Sequence, residues 1–163
     1  MARESDTLHP YEVTGRAADG VDGLLAALIG VPCAELNPPV TVVDVPVFED
    51  GRGWLAPVEI ATAAGFGAVR AWAIGGVTGD QVRARHAHRR CAQALWCVSG
   101  SVRLVMTDGA SRAEITLDGA GTLVRIPAGI WLQVDRFTDG AVLMTLADEP
   151  YDPADYRDSI TRD

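Results

Sequence analysis

The chain has 163 residues, 48% hydrophobic and 22% charged, a make-up that suits one folded domain with a sizeable core. Its net charge of −8 argues against general nucleic-acid binding, and no run of about 18 apolar residues is present to span a bilayer. All 14 basic residues are arginine, which excludes lysine Schiff-base chemistry and a lysine-dependent phosphate loop. Any permanent side-chain cation that meets a ligand is therefore a guanidinium, a group suited to phosphate and carboxylate.

In chain order, MARESDTLHP has no apolar signal core, so the expected location is cytoplasmic. Residues 1–36 read as an N-terminal extension, in which LLAALIG forms about two helical turns before Gly30 and Pro32 stop it. The main domain is expected to run from 37 to 163. Cys33, Cys91 and Cys97 are an odd set without metal-knuckle spacing, expected to be reduced and partly buried.

From Val40 the text becomes short strands separated by turn residues. VTVVDVPVF is β-branched and partly alternating, EDGRG is a turn, and WLAPVEIA is a second strand broken by Pro57. AVRAWAIGGV, RARHAHR, QALWCVSG, SVRLVMTDG, AEITLDG, GTLVRIPAG, WLQVDRF and AVLMTLA follow, which gives about eight to ten strands. TDG at 107–109 and LDG at 117–119 are hairpin or bend signals. No long helical pattern follows residue 40. The expected fold class is all-β, a sandwich or barrel whose length fits a small jelly roll.

RARHAHR carries the chemistry. Side chains two apart on a strand share a face, so an extended run puts His86 and His88 together with Ala84 and Arg90, with Arg85 and Arg89 opposite. Two imidazoles on the inner face of a barrel form a pair that titrates near neutral pH.

The arrangement resembles the cupin superfamily, whose RmlC-like barrels share two motifs. In the first, His86-Ala87-His88 is followed at the family spacing by Gln93 where cupins have glutamate, and then by Gly100. In the second, Gly121, Pro127-Ala128-Gly129 and then Leu132 stand in frame, with leucine in place of the last histidine. Two of the four cupin metal ligands are thus kept, so no metal and no other cofactor is expected. Acid–base chemistry is expected in its place.

Within the cupins, residues from about 42 to 158 are similar to the sugar 3,4-ketoisomerases that act on dTDP-4-keto-6-deoxyglucose. Asp50-Gly51-Arg52-Gly53-Trp54-Leu55 with Glu59, Phe66 to Arg70, HAHRRCAQALWCVSGS at 86–101 and the tail LADEPYDPADYRD at 146–158 carry the likeness. Trp72 stands where the family has a tyrosine, Ala84 where it has a glycine and Arg89 where it has a lysine.

The resemblance implies that His86 or His88 moves a proton between C3 and C4 through an enediol or enediolate, with Arg52 or Arg70 as the cation beside it. Gln93 would hydrogen-bond the substrate, and Trp72 or Trp131 would stack on sugar or base. Asp155 and Tyr156 are expected to tie the tail to the barrel, without chemistry. Implied partners are a nucleotide sugar and a second copy of the chain, as a homodimer exchanging N-terminal strands, with no nucleic acid and no membrane. The alternative is a metal-free cupin isomerase, cyclase or dehydratase for a non-sugar metabolite, favoured by the apolar Trp72 and Leu132. A third is a cupin that binds a ligand without turning it over.

Overall fold

The computed structural model describes residues 35–159. The helix expected at 24–30 lies outside the described residues, as do His9 and Cys33. The expected all-β fold is present, with twelve strands among the described residues. They are β1 (Thr41–Asp44), β2 (Phe48–Asp50), β3 (Gly53–Leu55), β4 (Arg70–Gly75), β5 (Arg83–His88) and β6 (Gln93–Ser99). After these come β7 (Ser101–Thr107), β8 (Arg112–Asp118), β9 (Thr122–Ile126), β10 (Trp131–Asp135), β11 (Val142–Ala147) and β12 (Tyr156–Arg157).

Two five-stranded antiparallel sheets face one another, ordered β1-β9-β6-β11-β4 and β12-β5-β10-β7-β8, while β2 and β3 form a separate hairpin. Period-two alternation decides which side chains meet between the sheets. On β8, Ala113, Ile115 and Leu117 turn inward while Arg112, Thr116 and Asp118 stay exposed. Val102, Leu104 and Met106 of β7 and Leu143 of β11 are fully buried in the same core. Each such side chain is worth roughly 1.5–3 kcal/mol when removed from water. Leu36, placed in the extension by the sequence reading, is buried in this core, and the Asn37 N–H donates to the Asp108 carboxylate at 2.9 Å.

WLAPVEIA is not one strand. Only Gly53–Leu55 pairs, because Pro57 has no N–H for a ladder, and Ile60–Ala63 forms a short helix, α1. Residues 56–68 lie over the outer face of the first sheet, where Ala64 and Phe66 pack with Ala94, Trp96 and Leu123. Arg125 fastens this cover through hydrogen bonds from Nε and Nη2 to the Ala63 and Thr62 carbonyls.

Two of the three cupin-motif glycines have a physical reason. Gly100 turns β6 into β7 with φ of 65°, and a Cβ there would stand 2.6 Å from Thr138 Oγ1 and 2.8 Å from Ala141 Cα. Gly129 has φ of 89°, and its N–H donates to the His88 carbonyl at 2.7 Å. That bond joins the second motif to the first. No helix among the described residues is long and apolar enough to cross a membrane.

Candidate active site

A cavity of about 370 Å³ opens between the two sheets. β4 contributes Arg70, Trp72 and Ile74, β5 Ala84 and His86, and β6 Gln93 and Leu95. Leu132 and Val134 of β10, Leu143 and Thr145 of β11, and Tyr151 and Tyr156 of the tail complete the wall. Arg70, His86, Gln93, Thr145, Tyr151 and Tyr156 supply its polar groups, and the remainder of the wall is apolar.

The histidine strand is not regularly extended. Ala84 and Arg85 both have positive φ, 63° and 67°, and the pairing to β10 slips by one residue between Leu132 and Gln133. This bulge re-aims the strand, so that His86 faces the cavity beside Leu132. It also explains the family's glycine at position 84, since alanine is strained in that conformation. Arg90 does not share the histidines' face as the extended reading expected. The strand ends at His88, and Arg90 turns out to pair with Asp152 at 2.7 Å.

The two histidines have different surroundings. His86 is half-buried on the cavity wall, with its ring centroid 4.6 Å from that of Tyr156 and 5.0 Å from that of His88. Burial, and then the neighbouring His88, push its pKa below the ordinary 6.5, so at neutral pH it is a free base. His88 is buried and does not line the main cavity. Its Nδ1 lies 2.8 Å from Asp155 Oδ2, and its Nε2 lies 2.8 Å from Gln93 Nε2.

Asp155 enters through the tail. Tyr156 and Arg157 add a twelfth strand to the edge of β5, which pairs Tyr156 with His88. The Asp155 carboxylate then accepts the N–H groups of Arg90 at 2.8 Å and Cys91 at 3.3 Å besides His88. Burial alone would raise its pKa, but these bonds overcome burial and the net shift is downward. The sequence reading gave Asp155 and Tyr156 an anchoring task only. The structure adds that Asp155 touches His88 and that the Tyr156 ring packs on both histidines at 4.6 Å. The sole signal for this was the tail's likeness to the family ending, because residues 67 apart meet only by strand addition.

The two arginines named from the sequence separate. Arg70 stands at the cavity, its guanidinium 4.6 Å from the Trp72 ring centroid and 5.6 Å from that of Tyr151. Its Nε is buried and has no hydrogen-bond partner among the described residues. Arg52 lies on the β2–β3 turn, 79% exposed and paired with Asp50, away from the cavity. Trp131 is likewise not brought to the cavity. It alternates with Leu132 on β10 and so points to the outer face of the second sheet, opposite Thr107.

The donor set does not fit a cupin metal centre. Nε2 of His88 meets an amide nitrogen, and Leu132 offers no ligand atom beside His86. His88 Nδ1, Cys91 Sγ and an Asp155 oxygen do lie within 4.8 Å of one another. The first and last are already hydrogen-bonded together, and burial pushes the Cys91 thiol up, away from the thiolate a metal would require.

Residues 39–162 match the family model described as FdtA: WxcM-like, C-terminal. The chain belongs to this family. It is 34% identical over 107 residues, 66% of this chain and 77% of the relative, to a TDP-4-oxo-6-deoxy-alpha-D-glucose-3,4-oxoisomerase of Aneurinibacillus thermoaerophilus. Among solved structures, it resembles the sugar 3,4-ketoisomerase QdtA of Thermoanaerobacterium thermosaccharolyticum, in complex with TDP. That likeness has a TM-score of 0.70 at 30% identity over 74% of this chain and 88% of that one. The WlaRB TDP-quinovose 3,4-ketoisomerase of Campylobacter jejuni follows with a TM-score of 0.69 at 28% identity, covering 74% of this chain and 92% of that one.

Proposed function

We propose that this protein is a metal-independent 3,4-ketoisomerase of a TDP-linked 4-keto-6-deoxyhexose, with His86 as the base. The observation that carries the assignment is the His86 imidazole on the wall of a cavity large enough for a hexose. His86 takes the proton from C3, giving an enediol or enediolate across C3 and C4. The proton lost from the C3 hydroxyl is matched by one gained at the C4 oxygen. The His86 imidazolium then returns its proton to C4, which leaves the ketone at C3. Arg70 supplies positive charge, for the diphosphate or the enediolate, from the cavity wall. Trp72 forms the wall against which the sugar or base packs. Arg52 and Trp131 have no part in the cavity of one chain.

The family's substrates support the reading. QdtA has also been solved as a histidine-to-asparagine variant in complex with TDP-4-keto-6-deoxyglucose, and this chain is 29% identical to it. On this reading the protein works in the cytoplasm as a homodimer, in which the partner covers Trp54 and Leu55, now 54% and 53% exposed. Incubation with TDP-4-keto-6-deoxyglucose in deuterated water, followed by proton NMR, tests the activity. A 3-keto product carrying deuterium at C4, absent with His86→Ala, is the expected result. The absence of both turnover and exchange overturns the reading. It would favour a non-sugar metabolite, for which the aliphatic wall of Ile74, Leu95, Leu132, Val134 and Leu143 is the supporting observation.

A further inference from the structure

The buried chain Asp155–His88–Gln93 has a direction. A carboxylate only accepts, so the bond between Asp155 Oδ2 and His88 Nδ1 puts the imidazole proton on Nδ1. At the other end of the ring stands an amide nitrogen, a group that only donates, so Nε2 faces it with a lone pair. That nitrogen belongs to Gln93, at 2.8 Å. Fixing the nitrogen fixes the oxygen. Among the described residues, Gln93 Oε1 accepts no bond from the protein, and Gln93 lines the main cavity as well as the pocket around His88. Asp155 itself is held by two backbone N–H groups and is 3% exposed, so it cannot turn away. Glutamine at the cupin glutamate position then has a reason. A glutamate would set a second acceptor against the Nε2 lone pair.

We propose that Asp155 is a positioning residue of the isomerase. It acts through the tautomer of His88 to decide which end of the Gln93 amide meets the substrate. The Gln93 oxygen is placed to accept a hydrogen bond from a substrate hydroxyl, and its second N–H remains to donate. Reversing the tautomer would require the amide to flip, which exchanges acceptor for donor at that point of the cavity. The kinetic part of the proposal rests on the ketoisomerase reading, whereas the tautomer part does not.

The test separates the two. The nitrogen shifts of the three histidines report tautomer directly, with His9→Gln and His86→Gln as assignment variants. In the unmodified protein without substrate, His88 is expected to show the proton on Nδ1 alone. A proton on Nε2 overturns the proposal whatever the substrate proves to be. Asp155→Asn, which can turn its amide N–H toward Nδ1, is expected to move the proton to Nε2. It should then lower kcat on the order of 10–100-fold, with a smaller change in KM, by analogy with tautomer loss in a catalytic triad. An inverted tautomer with unchanged kcat overturns the positioning role. Because Asp155→Asn also disturbs two backbone bonds, Gln93→Glu is the second variant. It should leave His88 protonated on both nitrogens and lower kcat to a comparable extent. A His88 still bare at Nε2 with wild-type kcat overturns the proposal without reference to Asp155→Asn. Failure of the unmodified protein to turn over the TDP-sugar, with the expected tautomer present, counts against the assigned activity and not against the chain of bonds.

Discussion

Arg103 and Arg70 lie on opposite surfaces of the same sandwich. On the outer face of the second sheet, Arg103 binds Asp135 through Nε at 2.7 Å and Nη2 at 2.9 Å, and Glu114 through Nη1 at 3.1 Å. Gln133 adds a further donor to Asp135 at 2.7 Å. Those groups complete one another. On the cavity side, Arg70 has two aromatic rings and, among the described residues, no partner for its Nε, and the His86 imidazole lines the cavity. A buried donor without an acceptor costs about 1–3 kcal/mol, a cost that the outer network avoids. The outer network is closed on itself, whereas the cavity side leaves its polar groups facing the space between the sheets.

That contrast can be broken most severely at His86. His86→Ala should lower kcat on TDP-4-keto-6-deoxyglucose by about 10²–10⁴-fold while leaving the urea midpoint nearly unchanged. The pH profile sharpens the same point. A histidine whose folded pKa is depressed stays basic further into acid, so the acid limb of kcat/KM should fall below pH 6.5. The unfolded chain binds the proton more readily there. Any stability that the neutral His86 contributes is therefore complete above 6.5 and is lost as pH falls through the lower folded value. An acid limb above 6.5 would mean another group is the base.

Leu104→Ala attacks the finished side of the comparison. This side chain is fully buried in the core, and its loss should cost about 2–5 kcal/mol in a denaturant melt. Arg70→Met keeps the packing on Trp72 and Tyr151 but removes the charge. It should weaken TDP binding about 10–100-fold by calorimetry, the worth of a charge-assisted hydrogen bond. Ala84→Gly should raise stability by about 1 kcal/mol, because the left-handed conformation at φ of 63° penalises alanine. The smallest effect is expected at Trp131→Ala, less than about threefold on kcat/KM, since that indole lies on the outer face. A larger loss would bring Trp131 back to the substrate, through a second chain.

The sequence by itself determined the strand pattern, the pair of histidines on one face and the loss of two cupin ligands. Each is a local property, read from period-two alternation and from spacing within a motif. The likeness of HAHRRCAQALWCVSGS and the tail to the ketoisomerases determined the family as well. Only the tertiary structure decided which histidine lines the main cavity. The bulge at Ala84 and Arg85 aims His86 into the cavity, and the added strand β12 brings Asp155 against His88 across 67 positions. It also decided between the arginines and between the tryptophans. Arg70 and Trp72 alternate onto the inner face of β4, whereas Arg52 rides a hairpin and Trp131 falls on the outer face of β10. Bulges and long-range strand additions change which face a residue serves without altering the local pattern, so no reading of spacing alone could have placed these side chains.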